Sequence, residues 1–321
     1  MLFVLAPVGG CGAEPTTAAD APLILERTIP LKGVGGRIDH LVVDAAHQRL
    51  FVAELGNGSV EALDLARGAS LGRISGLKEP QGLAYLPERN ELVVASGGDG
   101  MVRFYRADDL SLAGSLALGD DADNVRVDPR SGRLIIGYGS GALAVIDPAS
   151  RAVVARIAMP AHPESFRLNG DRVWVNVPDA RRIVVADLQT GRIAASWPAR
   201  HGFNFPMALD APSHILAIVF RLPARLQMLA ADTGATRADV ATCGDADDVF
   251  FDSKRPRLYV ICGAGAVDVV DTVHVARMAR IVTRSGARTG LFSAELDRLF
   301  IAARASSTGG DAALLVYRPR P

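Results

Sequence analysis

The chain has 321 residues, 49% of them apolar, with 35 basic against 35 acidic side chains and a formal net charge of zero. That apolar share supplies a sizeable core, and balanced charge argues against nucleic acid as the main partner, because a surface that binds a phosphate backbone shows as basic excess. The 32 glycines are spread along the chain, which points to many tight turns and not to one flexible linker.

The first segment, MLFVLAPVGGCGAEPTTAADAP, runs from an apolar stretch through small residues to a polar, Ala/Thr/Pro-rich stretch. That is the outline of a secretory signal, so residues 1–21 read as a leader and tether. The apolar part is too short to span a bilayer, and the basic n-region is missing. Val8-Gly9-Gly10-Cys11 resembles a bacterial lipobox, which would make Cys11 a lipidation site. An ordinary cleaved signal, or a tail in which Cys11 is incidental, are the alternatives. Export predicts a periplasmic or outer-membrane-anchored protein whose only membrane contact is a lipid anchor.

Residues 22–321 read as one domain built of repeats. LILERTIPL, which follows the leader, has a strand pattern with no three partners before it. Downstream one unit recurs: a short β-like run, a turn, an Arg-Leu-type strand, a Gly-rich turn, a third strand ending near Asp, and a fourth. The second strands align as RLFVAEL, ELVVASG, RLIIGYG, RVWVNVP, ILAIVFR, RLYVICG and RLFIAAR. β-Branched and aromatic residues fill these runs, and Gly, Asp and Pro bound them. The repeats start at Asp39, Gln81, Asp123, Glu164, Phe205, Asp247 and Arg288, in steps of 42, 42, 41, 41, 42 and 41 residues. Seven such units predict an all-β fold, a seven-bladed β-propeller of four-stranded antiparallel blades. The last repeat supplies three strands and stops at Tyr317. The N-terminal strand is therefore expected to complete it, closing the ring and removing an open sheet edge.

RLFVAELGNGSVEALDL, RLYVICGAGAVDVVDT and RRIVVADLQTGRIAASW resemble YVTN-type β-propeller repeats, as does EPQGLAYLPERNELVVAS with its Pro-x-Gly opening. The similarity covers roughly residues 36–318. The resemblance implies an exported bacterial seven-bladed propeller and no particular function, because these propellers are functionally diverse. The WD dipeptide of WD40 blades is absent.

The repeat register sorts the acidic residues. Asp44, Asp128, Asp210 and Asp252 share a column after the first strand. Asp64, Asp147, Asp187, Asp232 and Asp271 share one after the third. Both read as turn residues accepting backbone N–H groups. The starting column differs. Asp39, Gln81, Asp123, Glu164, Asp247 and Arg288, with His40, Asn124 and Asp248 one residue on, lie where each chain enters the central channel on the top face. Concave, convergent polar groups are the default ligand site. Three readings stand side by side: a salt-bridged scaffold in which Arg126 and Arg167 pair with Asp123 and Glu164, an organic or peptide ligand at the mouth, and a divalent cation such as calcium on Asp39, Asp123 and Asp247. GDADDVFFD (244–252) is no EF-hand, since the twelfth position from Asp245 is Pro256 where Glu is needed.

Cys243 and Cys262 both fall near the top of blade six, where either a disulfide or two buried thiols fits. Trp174 lies in a second strand and reads as core, whereas Phe203 and Phe205 lie in a top loop near the mouth. No H-E-x-x-H, P-loop, G-x-S-x-G, C-x-x-C or C-x-x-C-H occurs, and the Asp39–His40 pair alone is weak evidence for a general base. The expectation is a monomeric binding or interaction protein, with a small ligand or envelope protein as partner and no cofactor. A metal-assisted lyase, lactonase or hydrolase at the same mouth is the enzymatic alternative, and a structural subunit of an envelope complex is a third.

Overall fold

The computed structural model describes residues 21–306 and 310–321. The leader reading and the Cys11 lipidation site lie outside the described residues. Seven four-stranded antiparallel sheets form the blades of a β-propeller. Blade one consists of Leu41–Asp44, Arg49–Glu54, Ser59–Asp64 and Ala69–Ser75. The first strands of blades two to seven are Pro80–Leu86, Val125–Val127, Phe166–Asn169, Gly202–Asp210, Ala246–Asp252 and Thr289–Ser293. In blades one to six the strands pair in sequence order.

Burial explains why the second strands stand out in the sequence. All six residues of Arg49–Glu54 and of Arg257–Cys262 are buried. Neighbouring blades cover both faces, so these strands read as continuous apolar runs and not as alternations. The core lies between blades: Val93, Ala95 and Phe104 of blade two pack with Ile136, Ala144 and Ile146 of blade three. Fourth strands form the rim, and Ala152–Ala158 is mostly exposed.

The N-terminal strand closes the ring. Leu23–Pro30 pairs with Ala313–Pro319, from Leu23 opposite Pro319 to Pro30 opposite Ala313. It reproduces a detail of the other fourth strands. Each outer strand carries one extra residue against its partner: Leu71, Ala113, Val154, Ala194, Arg237 and Met278 in blades one to six, and Glu26 in the closing strand. Such bulges sharpen twist at sheet edges.

Seven of the nine turn aspartates behave as their columns imply. Asp44, Asp128 and Asp252 accept backbone N–H groups from His47, Arg130 and Lys254. Asp64, Asp147, Asp187 and Asp271 do the same for Arg67, Ala149, Gln189 and Val273. Asp232 instead pairs with the side chains of Arg172 and His214. Trp174 is core, buried with its indole N–H donating to the Ala231 carbonyl at 2.8 Å.

Cys243 and Cys262 are joined in a disulfide, with Cα atoms 5.8 Å apart and a sequence separation of 19. Closing a loop of that size restricts the unfolded chain by about 3 kcal/mol. Replacing both cysteines by Ala is expected to lower Tm by roughly 5–10 °C, and reduction of the wild type to do the same. A thiol titration under denaturing conditions that found both cysteines free would remove the basis for this expectation.

Candidate functional site

The channel-mouth residues are placed by backbone bonding to the second strands. The N–H of Asp39 donates to Ala53 and the carbonyl of His40 accepts from Ala53 in return. Asp123 and Asn124 bond Gly137 in the same way, and Glu164 and Ser165 bond Asn176. Blades one, three and four thus present their first two mouth residues at a fixed height. Blade two has Gly82 at the second position. A Cβ there would lie 2.0 Å from the Asp123 carbonyl oxygen, so only glycine fits beside blade three.

Seven of the nine mouth residues expected from sequence converge on one small cavity of about 30 Å³: Asp39, His40, Asp123, Asn124, Glu164, Asp247 and Asp248. Arg37, Ser165 and Phe205 complete its wall. Gln81 and Arg288 stand back from it. The Gln81 amide is 3.5 Å from Asp121. Arg288 holds Asp245 at 3.0 and 3.1 Å and reaches Asp247 at 3.3 Å.

The charge pairing differs from the pairing expected with Arg126 and Arg167. Neither of these guanidiniums has a carboxylate within 4.0 Å among the described residues; they bond Val125, Asn124, Ser165 and Phe166. Each lies three residues beyond its supposed partner, and a strand rises about 3.3 Å per residue, so each sits about 10 Å deeper in the channel. The cations at the mouth are Arg37, Arg221 and Arg288. Arg37 reaches Asp39 at 2.8 Å. Arg221, from the top of the second strand of blade five, pairs with Asp247 and lies 3.5 Å from Asp245. Its guanidinium also sits 4.2 Å from the centre of the Phe205 ring, which stacks on the half-exposed Phe203.

Three arginines do not saturate five carboxylates. Asp123 is 8% exposed, and its Oδ1 is buried with no hydrogen-bond partner; the His40 Nε2 is 3.9 Å away, too far to donate. Burial, then repulsion from Asp39 and Glu164, pushes the Asp123 carboxyl well above the usual range. Burial, then Asp247 and Asp39, raises Glu164 to about 7. Burial raises Asp248 to about 8 against the N–H that Gly290 donates at 2.8 Å. His40 is driven to about 3 by burial and by Arg126, so it stays neutral. The mouth is a cluster of partly protonated acids around an uncharged imidazole. Among the described residues no group of three or more His, Cys, Asp or Glu side chains stands in a metal-ligand arrangement.

Below the mouth the channel widens to a cavity of about 380 Å³ that shares His40 and Asp248 with the mouth and holds Arg126 and Arg167 in its wall. Fold and site together define a seven-bladed propeller with an acidic, constricted mouth above a roomier lumen. No protein-family model and no curated protein sequence matches this chain.

Proposed function

We propose that the protein is an exported binding protein that holds the cationic or hydrogen-bond-donating group of a small ligand in the channel mouth. The observation that carries this reading is the buried, unpartnered Asp123 Oδ1 aimed into a cavity whose other carboxylates outnumber their arginines. Leaving such an acceptor unpaired costs about 1–3 kcal/mol, which a donor from a ligand would recover. A cavity of about 30 Å³ admits one ammonium group or one small cation. The leader sequence supports export, and Cys11 supports a lipid anchor.

Thermal melts with methylammonium, putrescine and calcium test this. A ligand at a hundredfold its Kd is expected to add about 2.7 kcal/mol of stability to the wild type. The gain is expected to vanish in Asp123→Asn. An unchanged gain in that variant, or no gain from any of the three probes, overturns the proposal. A stoichiometric divalent ion that is lost on Asp247→Ala would instead favour the metal-assisted enzyme.

A further inference from the structure

The lumen beneath the mouth has the opposite character. Arg126 and Arg167 occupy the same position of the first strand in adjacent blades, three and four. In the other five blades that position holds Val42, Ala84, Ala208, Phe250 and Leu291. Two cations therefore stand side by side in a column that is otherwise apolar. Arg126 donates to the Val125 carbonyl at 2.7 Å and the Asn124 amide oxygen at 3.3 Å, and leans on the Phe166 ring at 5.7 Å. Arg167 donates to the Phe166 carbonyl at 2.9 Å and the Ser165 hydroxyl at 3.2 Å. All these acceptors are neutral. A guanidinium carries five N–H donors in a planar fork, so donors on both side chains remain for the lumen.

A structural role does not account for the pair. Charges drawn away from water are normally paired; Arg126 and Arg167 are half-buried, and apolar side chains fill the same position in five blades. Asp248, the acid that shares this cavity, is raised to about 8 and is therefore largely protonated at neutral pH. Burial, then the neighbouring Arg126, lowers Arg167 to about 9, and Asp248 across the same cavity offsets this only in part. A cavity of about 380 Å³ falls within the usual range for small-ligand sites.

We infer that this lumen is a second binding site, one that takes a small organic acid, with its carboxylate forked between Arg126 and Arg167 and its apolar body against Val42, Ala84, Phe250 and Leu291. Arginine matches planar carboxylates in bidentate geometry. The mixed wall favours an acid with a hydrocarbon body over a fully hydrated anion such as phosphate. The inference does not depend on what occupies the mouth.

The experiment compares hexanoate, benzoate and inorganic phosphate by thermal melts and titration calorimetry. The proteins are the wild type, Arg126→Met/Arg167→Met, Arg167→Lys and Asp123→Asn. Without added acid the double Met variant is expected to melt at or above the wild-type temperature, because it relieves two half-buried charges that have no carboxylate partner. Hexanoate or benzoate is expected to raise the wild-type Tm and to lose at least tenfold in affinity in the double variant. Arg167→Lys is expected to retain part of the effect, and Asp123→Asn all of it, which separates this site from the mouth. The inference is overturned by wild-type protein that ignores both acids, by an equal response in the double variant, or by a response to phosphate alone. A double variant that melts well below wild type also overturns it, by marking the pair as structural.

Discussion

Deletion of residues 22–31 is expected to abolish the cooperative melt of the propeller or to lower its Tm by at least roughly 15 °C. Leu23, Ile29 and Leu31 are 3%, 1% and 1% exposed in the closed ring. Burial of each is worth about 2 kcal/mol, so together they supply about 6 kcal/mol, comparable with the whole stability of an ordinary domain. The strand also ties the seam on both sides. The Leu31 N–H donates to Ala312 at 2.8 Å, and the Arg27 guanidinium reaches the Leu65 carbonyl of blade one at 2.8 Å. Without it, Ala313–Pro319 becomes an open edge that invites association with other chains. A repair distinguishes loss of closure from general damage. The Arg320 N–H already donates to Pro22 at 2.9 Å, and Leu23 lies opposite Pro319. The same ten residues attached after Pro321 through a short loop are therefore expected to restore the melt. A deletion variant that melts like wild type would show that the ring does not need this strand.

The fold was legible because repetition multiplies weak signals. One strand such as RLFVAEL is ambiguous, but seven in register at steps of 41 or 42 residues leave little choice. The incomplete last repeat and the orphan first strand likewise predicted their own pairing. The shared bulge was not legible, because its residues (Leu71, Ala113, Val154, Ala194, Arg237, Met278 and Glu26) are of six different types, apolar and charged alike. At the mouth, seven of the nine residues that the register collected line the cavity, because position within a repeat maps onto height along the axis. It failed on their partners. Arg126 and Arg167 are close to Asp123 and Glu164 in sequence but deeper in the channel. Arg37 comes from the loop before blade one, and Arg221 from near the end of a second strand, outside the first-strand column that the register collected. Contacts between blades have no fixed spacing to read. The choice between a disulfide and two thiols was open for a similar reason: a shared height makes bonding feasible, and only Cα separation decides it.

The mouth also sets how stability responds to pH, and the expected curve peaks near pH 5 and falls toward pH 8. Glu164 rises from an ordinary 4.5 to about 7 and Asp248 from 3.8 to about 8, and outside the mouth Glu54, beside Ser59 and Arg73, also rises to about 7, each chiefly by burial. Asp39, Asp123 and Asp247 are raised in the same direction and also first by burial. Between the unfolded and folded values the folded chain holds protons that the unfolded chain has lost, so stability present below about pH 4.5 is given up as pH rises toward 8. His40 works against this. Its folded value of about 3 lies below 6.5, so its contribution grows with pH over that interval, but it is one group against six. On the acid side Asp44, Asp99 and Asp239 are lowered, Asp239 to about 2, and their stabilisation is lost as pH falls below about 4. For Glu164 the rise from 4.5 to about 7 corresponds to on the order of 3 kcal/mol. Glu164→Gln is therefore expected to leave stability near pH 5 almost unchanged and to raise it at pH 8 by up to that amount. Denaturant titrations at pH 5, 6.5 and 8 read this directly. A wild-type curve that climbs from pH 5 to 8, or a Glu164→Gln curve parallel to it, would show that the mouth carboxyls are ionised and stabilised by their arginines after all. A ligand cation should act in the same direction as the mutation, since either one removes the need for protons at the mouth. The pH slope should therefore flatten in the presence of whichever probe binds there.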